Sequence, residues 1–217
     1  MQPEAGAHPS RWLAYARFLA LFTIAYNLVE GFVSMGYGLA DDSVALFGFG
    51  ADSLIEVGSA LIVLWRLRAA SGCAVTRLER ERKATLSIGI LFVLLAVGTT
   101  LGATLQLASH RHPATTLPGL LIASLSLGFM FWLWRAKRQA ATALDSRTLR
   151  GDAACSLACI QLSLVLLAGS LVFLMVPTLW WVDGVAAIAL SAFIAREGVS
   201  GIRAALDPEF SGGCGCH

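Results

Sequence analysis

Charge is scarce in this sequence. Only 14% of its 217 residues are Asp, Glu, Lys or Arg, 57% are hydrophobic, and the mean hydropathy is +0.71. That balance excludes a soluble domain of this size and fits a polytopic membrane protein. Lysine is scarcer still, with 2 residues against 14 arginines, which together with abundant alanine points to a GC-rich bacterial genome. The net charge of +2 is spread over connections between apolar runs, so it gives no nucleic-acid-binding surface. The polar start, MQPEAGAHPSR, holds no short apolar run with a cleavage site, and the first long apolar segment is therefore expected to stay as a span. The five cysteines, Cys73, Cys155, Cys159, Cys214 and Cys216, do not make a secreted disulfide framework. Two fall in an apolar run, and three on the side assigned below to the cytoplasm, where thiols stay reduced.

What is present is a series of six apolar runs, each near the ~20 residues that cross a bilayer. They cover Trp12–Ala40, Ser43–Arg66, Ala84–Ser109, Thr115–Trp134, Gly151–Val176 and Thr178–Val199. The third and fourth carry no ionisable residue. Pro177 and the Trp180–Trp181 pair mark an interface between the last two. The expected fold is an all-α integral membrane protein with six transmembrane helices. Its expected parts are an N-terminal segment 1–11, a helical domain 12–199 and a short tail 200–217. The basic residues concentrate in the connections Leu67–Lys83 and Arg135–Arg150. The positive-inside rule places both connections in the cytoplasm, and six spans then put both termini there as well.

The second run, SVALFGFGADSLIEVGSALIVLWR, carries two acids in its middle, Asp52 and Glu56. A carboxylate at the bilayer centre costs roughly 2.5–3.5 kcal/mol on insertion scales and needs a functional reason or a partner. A spacing of four puts both on one helix face. No Lys or Arg within the six runs is free to pair with them, so half of a cation site is expected. The fifth run supplies the other half in GDAACSLACIQ. Cys155 and Cys159 are also four apart, with Asp152 one turn earlier on the same side. Two thiols opposite two carboxylates make the four ligands of a tetrahedral zinc site. Thiolates also select zinc or cadmium over magnesium and calcium. The bland alternative is packing by two small cysteines.

Two further groups are candidates. Glu30 shares a face of the first span with Asn27. It is either an accessory carboxylate of the cavity or a partner for a neighbouring helix. The tail ends GGCGCH, with Cys214, Cys216 and His217 on a glycine hinge. These three could collect a soft metal in the cytoplasm and pass it on, or be incidental groups of an unstructured end.

The segment S-V-A-L-F-G-F-G-A-D-S-L-I-E resembles the second membrane helix of the cation diffusion facilitators. In that family's fifth helix D-A is followed by a ligand three residues on and another four later, positions held here by Asp152, then Cys155 and Cys159, and W-V-D-G around Asp183 fits the opening of its sixth. The resemblance covers roughly Ala14 to Val199. It implies a six-helix, proton-coupled exporter of divalent metals with a tetrahedral site between the second and fifth helices. Glu56 stands where the family usually has Asp, and Cys155 and Cys159 where it commonly has His and Asp, which implies a softer site. The family's usual cytoplasmic domain of about eighty residues would need more than the 18 residues that follow the sixth run, so a shortened, membrane-only relative is expected.

The expected function is proton-coupled efflux of zinc or cadmium by alternating access, in a multi-pass protein of the bacterial inner membrane. It is a secondary transporter and not an enzyme, with no resident cofactor. Its expected partners are divalent metal ions, protons, the bilayer and a second copy of the chain, held through third-span glycines Gly89, Gly98 and Gly102. A non-transporting metal sensor or scaffold is the alternative. A membrane thiol oxidoreductase ranks last, because it leaves Asp52 and Glu56 without a role.

Overall fold

The computed structural model describes residues 9–40, 44–68, 74–109 and 117–210. Over them the chain forms six helices: α1 (Pro9–Ala40), α2 (Val44–Leu67), α3 (Ala74–Ala108), α4 (Leu117–Ala143), α5 (Arg147–Met175) and α6 (Val182–Leu206). A short 3-10 turn, Pro177–Leu179, joins the last two. No strand occurs among the described residues. Helices of 24 to 35 residues exceed the ~20 residues that span a hydrocarbon core. Among the described residues, four stretches are also apolar enough to cross a membrane: Ser10–Tyr37, Phe47–Leu67, Val75–Ala108 and Gly184–Leu206.

Most helices outrun the apolar runs that announce them. α3 begins ten residues before Ala84, α4 continues past Trp134 to Ala143, and α5 starts at Arg147. The expected polar connections are therefore largely helical. Glu, Arg, Lys and Ala favour the helix as strongly as Leu does, so the backbone does not stop where hydropathy falls. The α4–α5 turn is tight. Asp145 takes a left-handed φ of 42°, and Ser146 caps α5 by accepting a hydrogen bond from the Leu149 amide at 3.3 Å.

The helices pack as three close pairs, α1 with α2, α3 with α6, and α4 with α5. α2 and α5 also touch each other and α3, which puts them at the centre. Two apolar clusters meet on α5. One joins Leu19, Val63, Leu133 and Cys159; the other joins Phe92, Leu95, Cys155 and Ile194. The bundle is inside-out by the standard of a water-soluble fold. Phe18, Phe32, Leu105 and Phe193 face outward, while Thr23, Asn27, Ser34, Glu56, Ser59 and Ser156 are buried. Apolar surface against lipid, with small and hydroxyl side chains between helices, is how membrane bundles associate.

The glycines of α3 divide between two uses. Gly89 lies where α3 meets α6: a Cβ there would come 2.9 Å from the Gly198 carbonyl oxygen, and one on Gly198 would come 2.9 Å from the Gly89 carbonyl oxygen. This is the close backbone approach expected of Gly89, but within one chain. Gly98 and Gly102 have nothing within 4 Å of an added Cβ and line the cavity described next.

Candidate metal centre

The antiparallel run of α2 against α5 sorts the candidate residues into three levels. Asp52 and Cys159 form the outermost, Glu56 with Cys155 and Ser156 the middle, and Ser59 with Asp152 the innermost. Helical spacing produces this order, since residues four apart on either helix rise ~6 Å along it. The four expected ligands are all buried: Asp52, Glu56, Cys155 and Cys159 are 8%, 0%, 1% and 2% exposed. Both thiols are free. Cys159 interacts with the Asp52 carboxyl and with the Cys155 thiol. One oxygen each of Asp52 (Oδ1) and Glu56 (Oε2) is buried without a hydrogen-bond partner, an arrangement that folded proteins rarely leave unexplained.

The inner two levels are cross-tied. Ser59 Oγ of α2 donates to Asp152 Oδ1 of α5 at 2.7 Å, and Ser156 Oγ of α5 donates to Glu56 Oε1 of α2. Lys137 of α4 enters between them. Its Nζ lies 3.0 Å from Glu56 Oε1, 3.0 Å from Ser156 Oγ and 3.2 Å from Asp152. The expectation that no Lys or Arg pairs with the two acids is therefore wrong for Glu56, while Asp52 has no such ion pair among the described residues. Lys137 sits beyond the fourth apolar run, but α4 does not end there, and the side chain turns inward. The signal was present, because Met130, Leu133, Lys137 and Ala140 recur at helical spacing and all four are buried.

This ammonium shapes the ligand set. Among the described residues, no three His, Cys, Asp or Glu side chains converge closely enough to hold a metal ion. Asp52 meets Cys159, while Glu56 and Asp152 are drawn to Lys137. Of the two readings of Glu30, the neighbour-bonding one describes the structure: it accepts from Tyr26 Oη at 3.1 Å and from Ser53 Oγ of α2 at 2.9 Å. Cys73, Cys214, Cys216 and His217 lie outside the described residues.

A cavity of about 310 Å³ leads to Asp52. Its walls come from the start of α2 (Phe47), the second half of α3 (Gly98, Gly102), Leu162 of α5 and the start of α6 (Gly184). It therefore opens at the bundle end opposite the arginine-rich helix extensions. The arginine-rich end holds a second cavity of about 230 Å³, lined in part by Arg147, Arg150 and Glu197, and beside it a buried tie around another residue the sequence did not single out. Glu81 of α3, 3% exposed, pairs with Arg66 of α2 and accepts from Ser146 Oγ at 2.6 Å and the Thr148 amide at 2.9 Å. The sequence shows it only as one of several offsetting charges in a basic stretch.

A family model of the cation efflux transmembrane domain matches residues 20–207. Transmembrane protein 163 of Xenopus laevis is 27% identical over 186 residues, covering 85% of this chain and 65% of that protein. The chain thus spans about two thirds of the length of that curated relative.

Proposed function

The chain belongs to the cation efflux family, and on that premise we propose that it exports a divalent transition-metal ion, zinc or cadmium, in exchange for protons. The observation that carries the proposal is that Asp52 lines the cavity with Cys159, Glu56 and Cys155 buried on the same two helix faces behind it. Within this buried set Asp52 Oδ1 and Glu56 Oε2 have no hydrogen-bond partner. Carboxylate with thiolate is a donor set for zinc or cadmium and a poor one for magnesium or calcium.

Metal capture by these side chains displaces protons, which gives the physical basis for exchange. A cavity that reaches Asp52 from one end, with Glu81 tying α2, α3 and α5 together at the other, supports reading the structure as one side of an alternating-access cycle. All six helices cross the cell membrane in this proposal, with the termini and the arginine-rich ends in the cytoplasm. Cys214, Cys216 and His217 would collect cargo there. The chain would associate as a homodimer through membrane helices, and a monomer mass by light scattering in detergent would remove that part.

Reconstituted vesicles with a pH gradient test the core of the proposal. Asp52→Ala and Cys159→Ala should each abolish zinc or cadmium flux in protein that still inserts. Wild-type flux in either variant would defeat the site assignment, and a wild type that binds metal without moving it would make the protein a sensor.

A further inference from the structure

Lys137 is the only basic side chain buried among the described residues. It is 3% exposed, and its nitrogen contacts three groups, two of them carboxylates. We propose that Lys137 is a tethered competitor for the transported metal: its ammonium holds Glu56 in the empty site, and a divalent cation captures Glu56 only by displacing it. The inference rests on the transport reading above and adds to it the residue that governs how tightly cargo is held.

The two cations compete for one carboxylate. A metal bound by Glu56 sits ~2.0–2.2 Å from a carboxylate oxygen. With Lys137 at 3.0 Å from Oε1, both positive charges would share one buried carboxylate, where their repulsion is poorly screened. The handover nevertheless needs no bare intermediate. Glu56 Oε2 has no partner, so an incoming ion can engage it while Oε1 still holds the ammonium. In the empty site Lys137 also contacts Asp152 at 3.2 Å and Ser156 at 3.0 Å, so its charge would still have partners once Glu56 is taken and would not become an uncompensated buried ion. Asp152 is then a resting partner for the lysine. A compact charge on a flexible four-carbon stem suits such an exchange better than a guanidinium fork would.

The test is cadmium binding to the full chain purified in detergent, read by cadmium–thiolate ultraviolet absorption and by calorimetry. The site is identified as the component lost in Asp52→Ala. Lys137→Met removes the competitor and keeps the chain length. It should bind cadmium at least ~tenfold tighter than wild type, because a fixed competing charge has gone, and per-molecule flux should fall because cargo is no longer pushed off. If Lys137→Met does not fold, Lys137→Met/Asp152→Asn, which removes both partners of the buried pair, carries the same expectation. Binding equal to or weaker than wild type in the folded variant would overturn the proposal and leave Lys137 a structural tie. A wild type with no Asp52-dependent cadmium binding would instead defeat the transport reading itself.

Discussion

Replacing Glu81 with alanine should loosen the arginine-rich end of the bundle, and the structure sets the size of the effect. Glu81 is 3% exposed and joins three helices, through Arg66 of α2 and through Ser146 and the Thr148 amide at the start of α5. The alanine variant leaves the buried Thr148 N–H without an acceptor, which costs ~1–3 kcal/mol. Ser146 loses its charged acceptor but still caps Leu149, so its share is smaller. Arg66 is 19% exposed and can turn toward water, so its loss adds at most ~1 kcal/mol. The total is about 2–4 kcal/mol. For a chain of this size that corresponds to a fall in melting temperature of roughly 4–16 °C. The assay can use the protein's own reporters. Cys155 and Cys159 are buried and free, so a thiol-reactive fluorophore reads unfolding once Cys73, Cys214 and Cys216 are replaced by serine. Glu81→Gln, whose amide oxygen can still accept from Thr148, should lose less than half as much. An alanine variant melting within ~2 °C of the parent would refute the assignment of Glu81 as the tie between α2, α3 and α5 at this end.

Three further outcomes are expected. Gly98→Leu adds a side chain where nothing lies within 4 Å, so it should fold with an unchanged melting temperature yet cut flux by narrowing the cavity. Gly198→Leu meets Phe92 Cβ at 2.8 Å and the Gly89 carbonyl at 2.9 Å, so it should lower the yield of folded protein through an overpacking cost of ~1–3 kcal/mol or more; equal melting temperatures for the two variants would contradict the α3–α6 contact. An impermeant thiol reagent should label Cys73 and Cys214 only in inside-out vesicles, and labelling of Cys214 on intact cells would invert the orientation.

The central helices were legible in the sequence because their chemistry follows helical periodicity. Asp52, Glu56 and Ser59 recur every three to four residues on α2, and Asp152, Cys155 or Ser156, and Cys159 do so on α5, so each stripe identifies its own buried face. Lys137 and Glu81 were not legible, for one shared reason. Both sit just beyond an apolar run, where falling hydropathy was read as the end of a helix and charge as solvent exposure. The helices continue, and a residue's side of the helix decides its burial. Glu30 was ambiguous because its partners, Tyr26 and Ser53, lie on two helices, and a single sequence does not give the register of one helix against another. The glycines of α3 show the same limit, since only contacts distinguish Gly89, pressed on α6, from Gly98, which faces open space.

The serine ties between α2 and α5 also bear on how the bundle could move. Ser59 of α2 holds Asp152 of α5, and Ser156 of α5 holds Glu56 of α2, so the two ties run in opposite directions across one interface. Lys137 fastens both to α4. Each is buried, and opening the helices at these levels would strand charged groups in a low-dielectric interior, a cost of several kcal/mol per unpaired ion. One level further out the situation differs. Asp52 Oδ1 has no hydrogen-bond partner, the neighbouring groups are thiols, which bond weakly, and a cavity already lies against the carboxylate. Separating α2 from α5 there breaks no strong bond. The interface is therefore stiff on the Lys137 side and compliant on the cavity side, with the candidate ligands spread across the boundary. Motion that widens or closes the cavity should change the distance between Asp52 and Cys159 while leaving the Glu56–Ser156 tie intact.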